Sequence, residues 1–289
     1  MTIDRLINIL VTIVLIEMMF TIGLGVTIAE LIGVVRNWRL VVQAVLANYV
    51  VVPAVTVGLL IAFHPADPMV PAGFLILAVC PGAPFGPPCT RIAKGDVAVA
   101  VGLMAILAGS SALVAPVLLQ LLLPMLGGGE SLQVDAAKIV VSLLVTQLIP
   151  LFFGLGLRHW RPGLADRLQN PANRLSTVLS LVTVGLILYA QFGLLAEIRL
   201  RGYAGMLALL VASLIAGWVF GGPGGDNRKA MTLTTSLRNV GVGLVIAIGN
   251  FPNTAAVTAV LAYGILEIFG SVFLALAWGG RAKMSGVAS

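Results

Sequence analysis

The chain has 289 residues, of which 59% are hydrophobic and 10% charged, and its formal net charge is +6. Soluble domains carry about a quarter charged residues, so the composition excludes one and implies an all-α polytopic membrane protein whose first partner is the lipid bilayer. The basic residues fall in short loops between apolar runs, where they set membrane orientation rather than a nucleic-acid surface; Cys80 and Cys89 form neither a disulfide framework nor a metal-ligand spacing, and no cofactor motif is present.

A membrane span needs about 20 apolar residues, and the pattern predicts nine. The first covers about 6–34, with Glu17 in its middle and a glycine-rich half, TIGLGVTIAE. This apolar run is far longer than a signal core of about 7–15 residues, so no cleavable signal peptide is expected. The second covers 38–63 and is interrupted by Pro53. The third begins near residue 69 and runs into ILAVCPGAPFGPPCTRIAKG. Pro81, Pro84, Pro87 and Pro88 remove backbone donors there, and Gly82 and Gly86 permit unusual dihedrals, so this span is broken. The fourth covers 97–123 and ends at Pro124 and GGG; the fifth covers 136–157. A basic connector, RHWRPGLADRLQNP, is expected at the membrane surface. The sixth, seventh, eighth and ninth spans cover 172–195, 203–220, 228–249 and 254–278, the last with Glu267 in its middle.

Nine spans put the ends on opposite faces. One face carries Arg36, Arg39, Arg91, Lys94, Arg158, Arg161, Arg167, Arg174, Arg228, Lys229, Arg281 and Lys283, and the other Arg5, Lys138, Arg199 and Arg201. The richer face is cytoplasmic by the positive-inside rule. The expected placement is an inner or plasma membrane, N-terminus out and C-terminus in.

The eighth span contains the feature around which the chain is organised, TLTTSLRNVGVGLVIAIG at 232–249. Arg238 and Asn239 lie within it, flanked by Thr234, Thr235 and Ser236. An ionisable residue at membrane depth costs a few kcal/mol and marks a functional site. The hydroxyls and the glycines at 241, 243 and 249 suit a helix that breaks around a ligand. The structural alternative is a bundle helix whose Arg packs against a carboxylate.

Spans one to four and six to nine can be laid against each other, and the third member of each set is the broken one. An odd, five-span unit separates the two breaks, which inverts one copy relative to the other. The expected organisation is a single transmembrane domain, 1–289, with a first repeat at 1–126 that lacks an opening helix and a second at 134–289. Inverted repeats with matching broken helices point to a secondary transporter with its site near the midplane.

Two stretches carry a family resemblance. CPGAPFGPPCTRIAKGDVAVAVGLMAI, at 80–106, is similar to the C-P-G-G-x-x-S-N and A-[KR]-G-[DN]-x-A runs of the bile acid:sodium symporter family. Cys80, Pro81, Gly82, Ala93, Lys94, Gly95, Asp96 and Ala98 match. TTSLRNVGVGLVIAI, at 234–248, resembles that family's E-x-G-M-Q-N-x-x-L-A pattern more loosely. The resemblance implies two crossing discontinuous helices, a core domain and a panel domain, and transport of organic anions. It also implies that Pro81, Gly82, Gly86, Pro87, Thr234, Thr235, Ser236, Arg238 and Asn239 line the substrate or ion site.

The departures are chemical. Where sodium-coupled members of the family carry a Ser-Asn pair, this chain has Gly86 and Pro87; where they carry Glu and Gln, it has Thr234 and Arg238. Sodium wants oxygen ligands and no fixed positive charge beside it. The implied carrier is therefore not conventionally sodium-coupled. Two roles stay open for Arg238: a tethered charge in the space of a bound cation, or a direct bidentate contact to an anionic substrate. Glu17 and Glu267 are candidate counter-ions to Arg238 or proton-coupling groups, against the plainer reading of carboxylates packed beside a polar cavity.

Smaller features read structurally. Asp96 is expected to cap the fourth span. Thr12, Thr21 and Thr27 are expected to bond back into their own helices, and the TIGLG glycines to serve helix packing. Gln43, Asn48 and Gln147 face a cavity or bridge helices. A membrane enzyme is not expected: there is no H-E-x-x-H, no Walker motif and no Ser–His pair at membrane depth. A channel or sensor of the same fold is the remaining class. Substrate identity and oligomeric state are not readable from these residues.

Overall fold

The structure, a computed structural model, describes residues 3–126, 132, 134–196 and 198–285. The GGG stop of the fourth span lies outside these residues, as do the side chains of Arg5, Arg281 and Lys283. The described residues form fourteen helices and no sheet: α1 Ile3–Gly25, α2 Ile28–Arg36, α3 Trp38–Leu46, α4 Val52–Phe63, α5 Met69–Ala78, α6 Gly86–Ile92, α7 Val97–Leu122, α8 Ala136–Leu143, α9 Ile149–Trp160, α10 Pro162–Ala196, α11 Leu200–Phe220, α12 Gly225–Ser236, α13 Val240–Asn250 and α14 Ala255–Ser285. Seven continuous helical stretches are long and apolar enough to cross a membrane, and α5 and α13 are shorter apolar helices. The molecule is a multi-pass membrane protein.

The first predicted span is not one helix. It breaks at Val26–Thr27, between α1 and α2. Thr27 Oγ1 accepts from Glu30 N–H at 3.2 Å, and Glu30 Oε2 accepts from Thr27 N–H at 2.8 Å. This reciprocal capping box satisfies donors that a new helix leaves orphaned, so Thr27 starts a helix instead of bonding back into one. Thr12 does bond back, to Asn8 O at 2.8 Å. The start of the sixth span is the second correction: the second part of the basic connector belongs to its helix. That part is helical from Pro162 and runs straight on as α10. Proline at a first helical position lacks only a donor that would be unpaired anyway.

Two single-turn π-helices, Ala47–Val51 and Leu144–Leu148, join α3 to α4 and α8 to α9. Each lies just before a proline, Pro53 or Pro150, whose ring displaces the regular ladder. Where α1 crosses α9, a Cβ on Gly23 would lie 2.3 Å from Leu151 O, and one on Gly154 2.3 Å from Phe20 O. The backbones touch, as small residues in membrane helices allow. Helix α1 also packs on α10, while α5 packs on α14, α11 on α4 and α12, and α6 and α12 on α7. Asp96 caps α7, its Oδ1 accepting from Val99 N–H at 3.0 Å.

Candidate functional site

The two broken helices meet where their breaks cross. Helix α5 stops at Ala78, three residues before Pro81, because a residue preceding proline avoids the helical region. Helix α12 stops at Ser236, and Leu237 is extended, with φ −91° and ψ 120°. Pro81 and Arg238 then pair as an isolated antiparallel β-bridge. Asn239 N–H donates to Cys80 O at 2.7 Å, and Asn239 Nδ2 to Gly82 O at 3.5 Å. Asn239 Oδ1 accepts from Val242 N–H at 3.1 Å and so caps α13. Gly82 holds φ +88°, and a Cβ there would lie 2.4 Å from Ala108 N. Only glycine fits both the dihedral and the gap.

Arg238 is 2% exposed, and its guanidinium is ringed by oxygen. Nε donates to Leu77 O at 3.1 Å. Nη1 donates to Asn48 Oδ1 at 2.7 Å and Thr235 O at 3.3 Å. Nη2 donates to Ala78 O and, at 3.4 Å, to Asn48 O. A guanidinium has five N–H donors, and all five are engaged. The acceptors come from places where the helical ladder is incomplete. Leu77 and Ala78 lie in the last turn of α5, and Thr235 in the last turn of α12. Carbonyls in a last turn lack intrahelical partners and form the negative end of the helix dipole. Asn48 sits in the first π-turn, and its side chain is held by donating to Ala44 O at 2.9 Å and Thr235 Oγ1 at 3.2 Å.

The two candidate counter-ions sit apart from this ring. Among the described residues the ion pairs are Arg158–Asp166 and Lys229–Asp226. Glu267, fully buried on α14, accepts from the backbone N–H of Arg238 at 2.8 Å through Oε1. Its Oε2 has no hydrogen-bond partner among the described residues. Glu17 lies elsewhere, accepting from Thr21 Oγ1 at 2.8 Å and from Ser176 Oγ on α10.

Thr234, Thr235 and Ser236 are all buried at the end of α12. The Ser236 hydroxyl bonds that of Ser271 at 3.0 Å. The Thr234 hydroxyl has no partner among the described residues and faces Gly86, whose Cβ would lie 3.6 Å away. Gly86 and Pro87 begin α6, and Pro87 takes an initial position where its missing donor costs nothing. Gln147 bridges helices, donating to Ala108 O and, at 3.1 Å, to Ser111 Oγ.

A cavity of about 780 Å³, counting its open mouth, lies against the crossing. Its walls are mostly apolar, including Met18 of α1, Phe85, Ile187 of α10 and Ile268 of α14. Its polar lining comes from Arg238 and Asn239 on one side and from Ser180 and Thr183 on the other. The Thr183 hydroxyl is buried and unpartnered among the described residues. The α10 hydroxyls were missed in the sequence, although Ser176, Ser180 and Thr183 recur at spacings of four and three, one helical face.

The sequence profile of the sodium bile acid symporter family matches residues 12–198, which include the first broken helix. The chain is similar to an uncharacterised sodium-dependent transporter, YocS, of Bacillus subtilis (strain 168). Identity is 27% over 285 residues, covering 94% of this chain and 84% of that protein. It is also similar to a probable chloroplastic sodium/metabolite cotransporter, BASS2, of Oryza sativa subsp. japonica, at 25% identity over 273 residues and 91% of this chain. The matched region spans 62% of the rice protein's length.

Proposed function

The chain belongs to the sodium bile acid symporter family, and from that premise we propose that it is a secondary transporter of organic anions whose cation site is filled permanently by Arg238. The observation that carries this reading is the ring of five oxygens around the guanidinium. Backbone carbonyls and one amide oxygen, converging from three helices, are the ligands a hard cation takes. Here a tethered positive charge uses them. Because every N–H donor is engaged inward, Arg238 has none left for a bidentate contact to a substrate carboxylate. Its role is to hold the crossing together. The positions where the resemblance puts sodium ligands, Gly86, Pro87, Thr234 and Arg238, offer no carboxylate.

The substrate site in this reading is the apolar cavity beside the crossing, which favours an organic anion with an apolar body. Asn239, Thr183 and the start of α13 provide polar contacts, and helix N-termini favour negative charge. Nine spans, inverted repeats at 1–126 and 134–289, a panel containing α1, α9 and α10, and a cytoplasmic C-terminus complete the proposal.

A second reading is sodium coupling through other residues. The names of the two relatives favour it, as does the unpartnered Oε2 of Glu267. One experiment separates the two. The purified protein is melted with a panel of bile acids and small carboxylates, in sodium chloride and in choline chloride. A ligand that binds only the folded state raises its apparent stability. The fixed-charge reading expects stabilisation by an organic anion that is the same in both salts. Stabilisation that requires sodium overturns it, and stabilisation by none of the acids overturns the substrate class.

A further inference from the structure

Glu17 is a carboxylate in the middle of α1, half-buried, at a depth where an ionised group is expensive. Two hydroxyls hold it. Thr21 Oγ1 donates to Oε1 at 2.8 Å, and Ser176 Oγ, from α10, donates to Oε2. Ser176 also reaches Thr21 Oγ1 at 3.4 Å. Among the described residues no cation lies within ion-pair distance of Glu17. The elements packed against α1 are α9, α10, α13 and the second π-turn. Helix α9 carries Arg158 and His159; α10 carries Asp166, Arg167, Arg174 and Tyr189; α13 and the π-turn carry no titratable residue. Across the cavity, α14 adds Glu267. None of the cations pairs with Glu17 within 4 Å among the described residues, and Arg158 is engaged by Asp166.

The same face of α10 leads from Glu17 into the cavity. Ser180, one turn beyond Ser176, contacts Met18 Sδ at 3.6 Å, and Met18 is the next residue after Glu17. Ser180 and Thr183 both line the cavity; Thr183 is 4% exposed, and its hydroxyl has no partner among the described residues. Hydroxyls one turn apart, with Cβ atoms about 5–6 Å apart, are close enough for a single water to bridge. A carboxylate inside a membrane bundle, joined to a cavity by a line of hydroxyls, is built as proton relays are built.

We propose that Glu17, with Thr21 and Ser176, is a proton-binding site that opens to the transport cavity through Ser180 and Thr183, and that it carries the coupling charge that Arg238 excludes from the crossing. The inference rests on the reading of Arg238 as a fixed cation. A metal ion fits the site poorly: four oxygens from three side chains fall short of the six or so that a hard divalent cation takes. A proton needs one. On protonation, one O–H bond forms at Oε2, the carboxylate becomes a neutral carboxylic acid, and Ser176 changes from donor to acceptor. Its own O–H then turns toward Ser180. Loss of the proton restores the ionised form, and no other bond is made or broken.

The test is infrared difference spectroscopy of the full-length protein in lipid nanodiscs, titrated over about pH 4 to 9 to span ordinary and raised carboxyl values. The probe is the proton itself. The wild type is expected to show a protonated-carboxyl C=O band that is lost in Glu17→Gln, kept in Glu267→Gln and shifted in frequency in Ser176→Ala. Glutamine keeps the two hydroxyl contacts but cannot titrate, so folding is preserved while the signal goes. A band unchanged in Glu17→Gln, or no carboxyl band in the wild type, overturns the inference. Melting the same samples with and without sodium is separate: sodium-dependent stabilisation of the wild type refutes the fixed cation whatever Glu17 does.

Discussion

Replacing Arg238 by glutamine removes the charge and leaves a ring of oxygen acceptors. Ala78 O, Thr235 O, Asn48 O and Asn48 Oδ1 lose the donor that Arg238 supplies, while Leu77 O keeps the backbone N–H of Cys80 at 3.0 Å. Each orphaned buried acceptor costs about 1–3 kcal/mol. The four do not add in full, because neighbours relax and water enters. Breaking a buried charged cluster at one partner typically costs about 3–5 kcal/mol. At about 2–4 °C per kcal/mol, Arg238→Gln is expected to melt ~6–20 °C below the wild type. The same ring is then a vacant cation shell. Sodium at a hundred times its dissociation constant restores about 2.7 kcal/mol, roughly half to nine-tenths of the loss. The assay is thermal unfolding of wild type and variant in sodium chloride and choline chloride at equal ionic strength. The variant is expected to recover in sodium, and the wild type to be indifferent. A destabilised variant that ignores sodium would refute the idea that the guanidinium occupies a cation shell, and so would a variant as stable as the wild type.

Three further outcomes follow from single contacts. Thr183→Val is expected to fold at least as well as the wild type, since it removes an unpartnered buried hydroxyl; if that hydroxyl meets the substrate, the organic anion found in the melting screen binds it about 5- to 30-fold more weakly, about 1–2 kcal/mol, by calorimetry. Gly23→Leu puts a side chain where a Cβ already lies 2.3 Å from Leu151 O, so α1 and α9 must separate; loss of the monodisperse peak in size-exclusion chromatography is expected, and normal yield would contradict the close crossing. Asp96→Ala removes the cap on α7 and is expected to cost about 1 kcal/mol, measured as lower apparent melting temperature without change in anion affinity.

Much of the crossing was legible because its chemistry is written in side chains. Arg238 and Asn239 stand out as polar letters in an apolar run, and Pro81, Pro84 and Gly82 announce a break. The ring around the guanidinium was not legible, because four of its five oxygens are backbone carbonyls and every residue has one. Only the fold decides which carbonyls are free. The break at Thr27 was written, as the capping box Thr27…Glu30, but the apolar letters around it hid the signal. The α10 start misled for the opposite reason. Two prolines and several charges put the start of the span at 172, yet Pro162 begins the helix and Pro171 is carried within it.

A fixed guanidinium also constrains how such a carrier can work. A bound ion ties two broken helices together only while it is present, so its departure can release the crossing and drive the cycle. Arg238 cannot depart. Its ring joins α5, α12 and the first π-turn in every state that keeps these bonds. On the proposed reading the crossing moves as one rigid piece, and the free energy for accumulation enters elsewhere. A ligand shifts a conformational equilibrium only by its differential affinity for the two states. On the proposed reading, the groups that supply that difference are those facing the crossing across the cavity: Thr183 and Ser180 on α10, and the Glu17 carboxylate behind them. They belong to a different set of helices from the ring, so a shift between the two sets changes what Glu17 and the substrate see while leaving the guanidinium undisturbed.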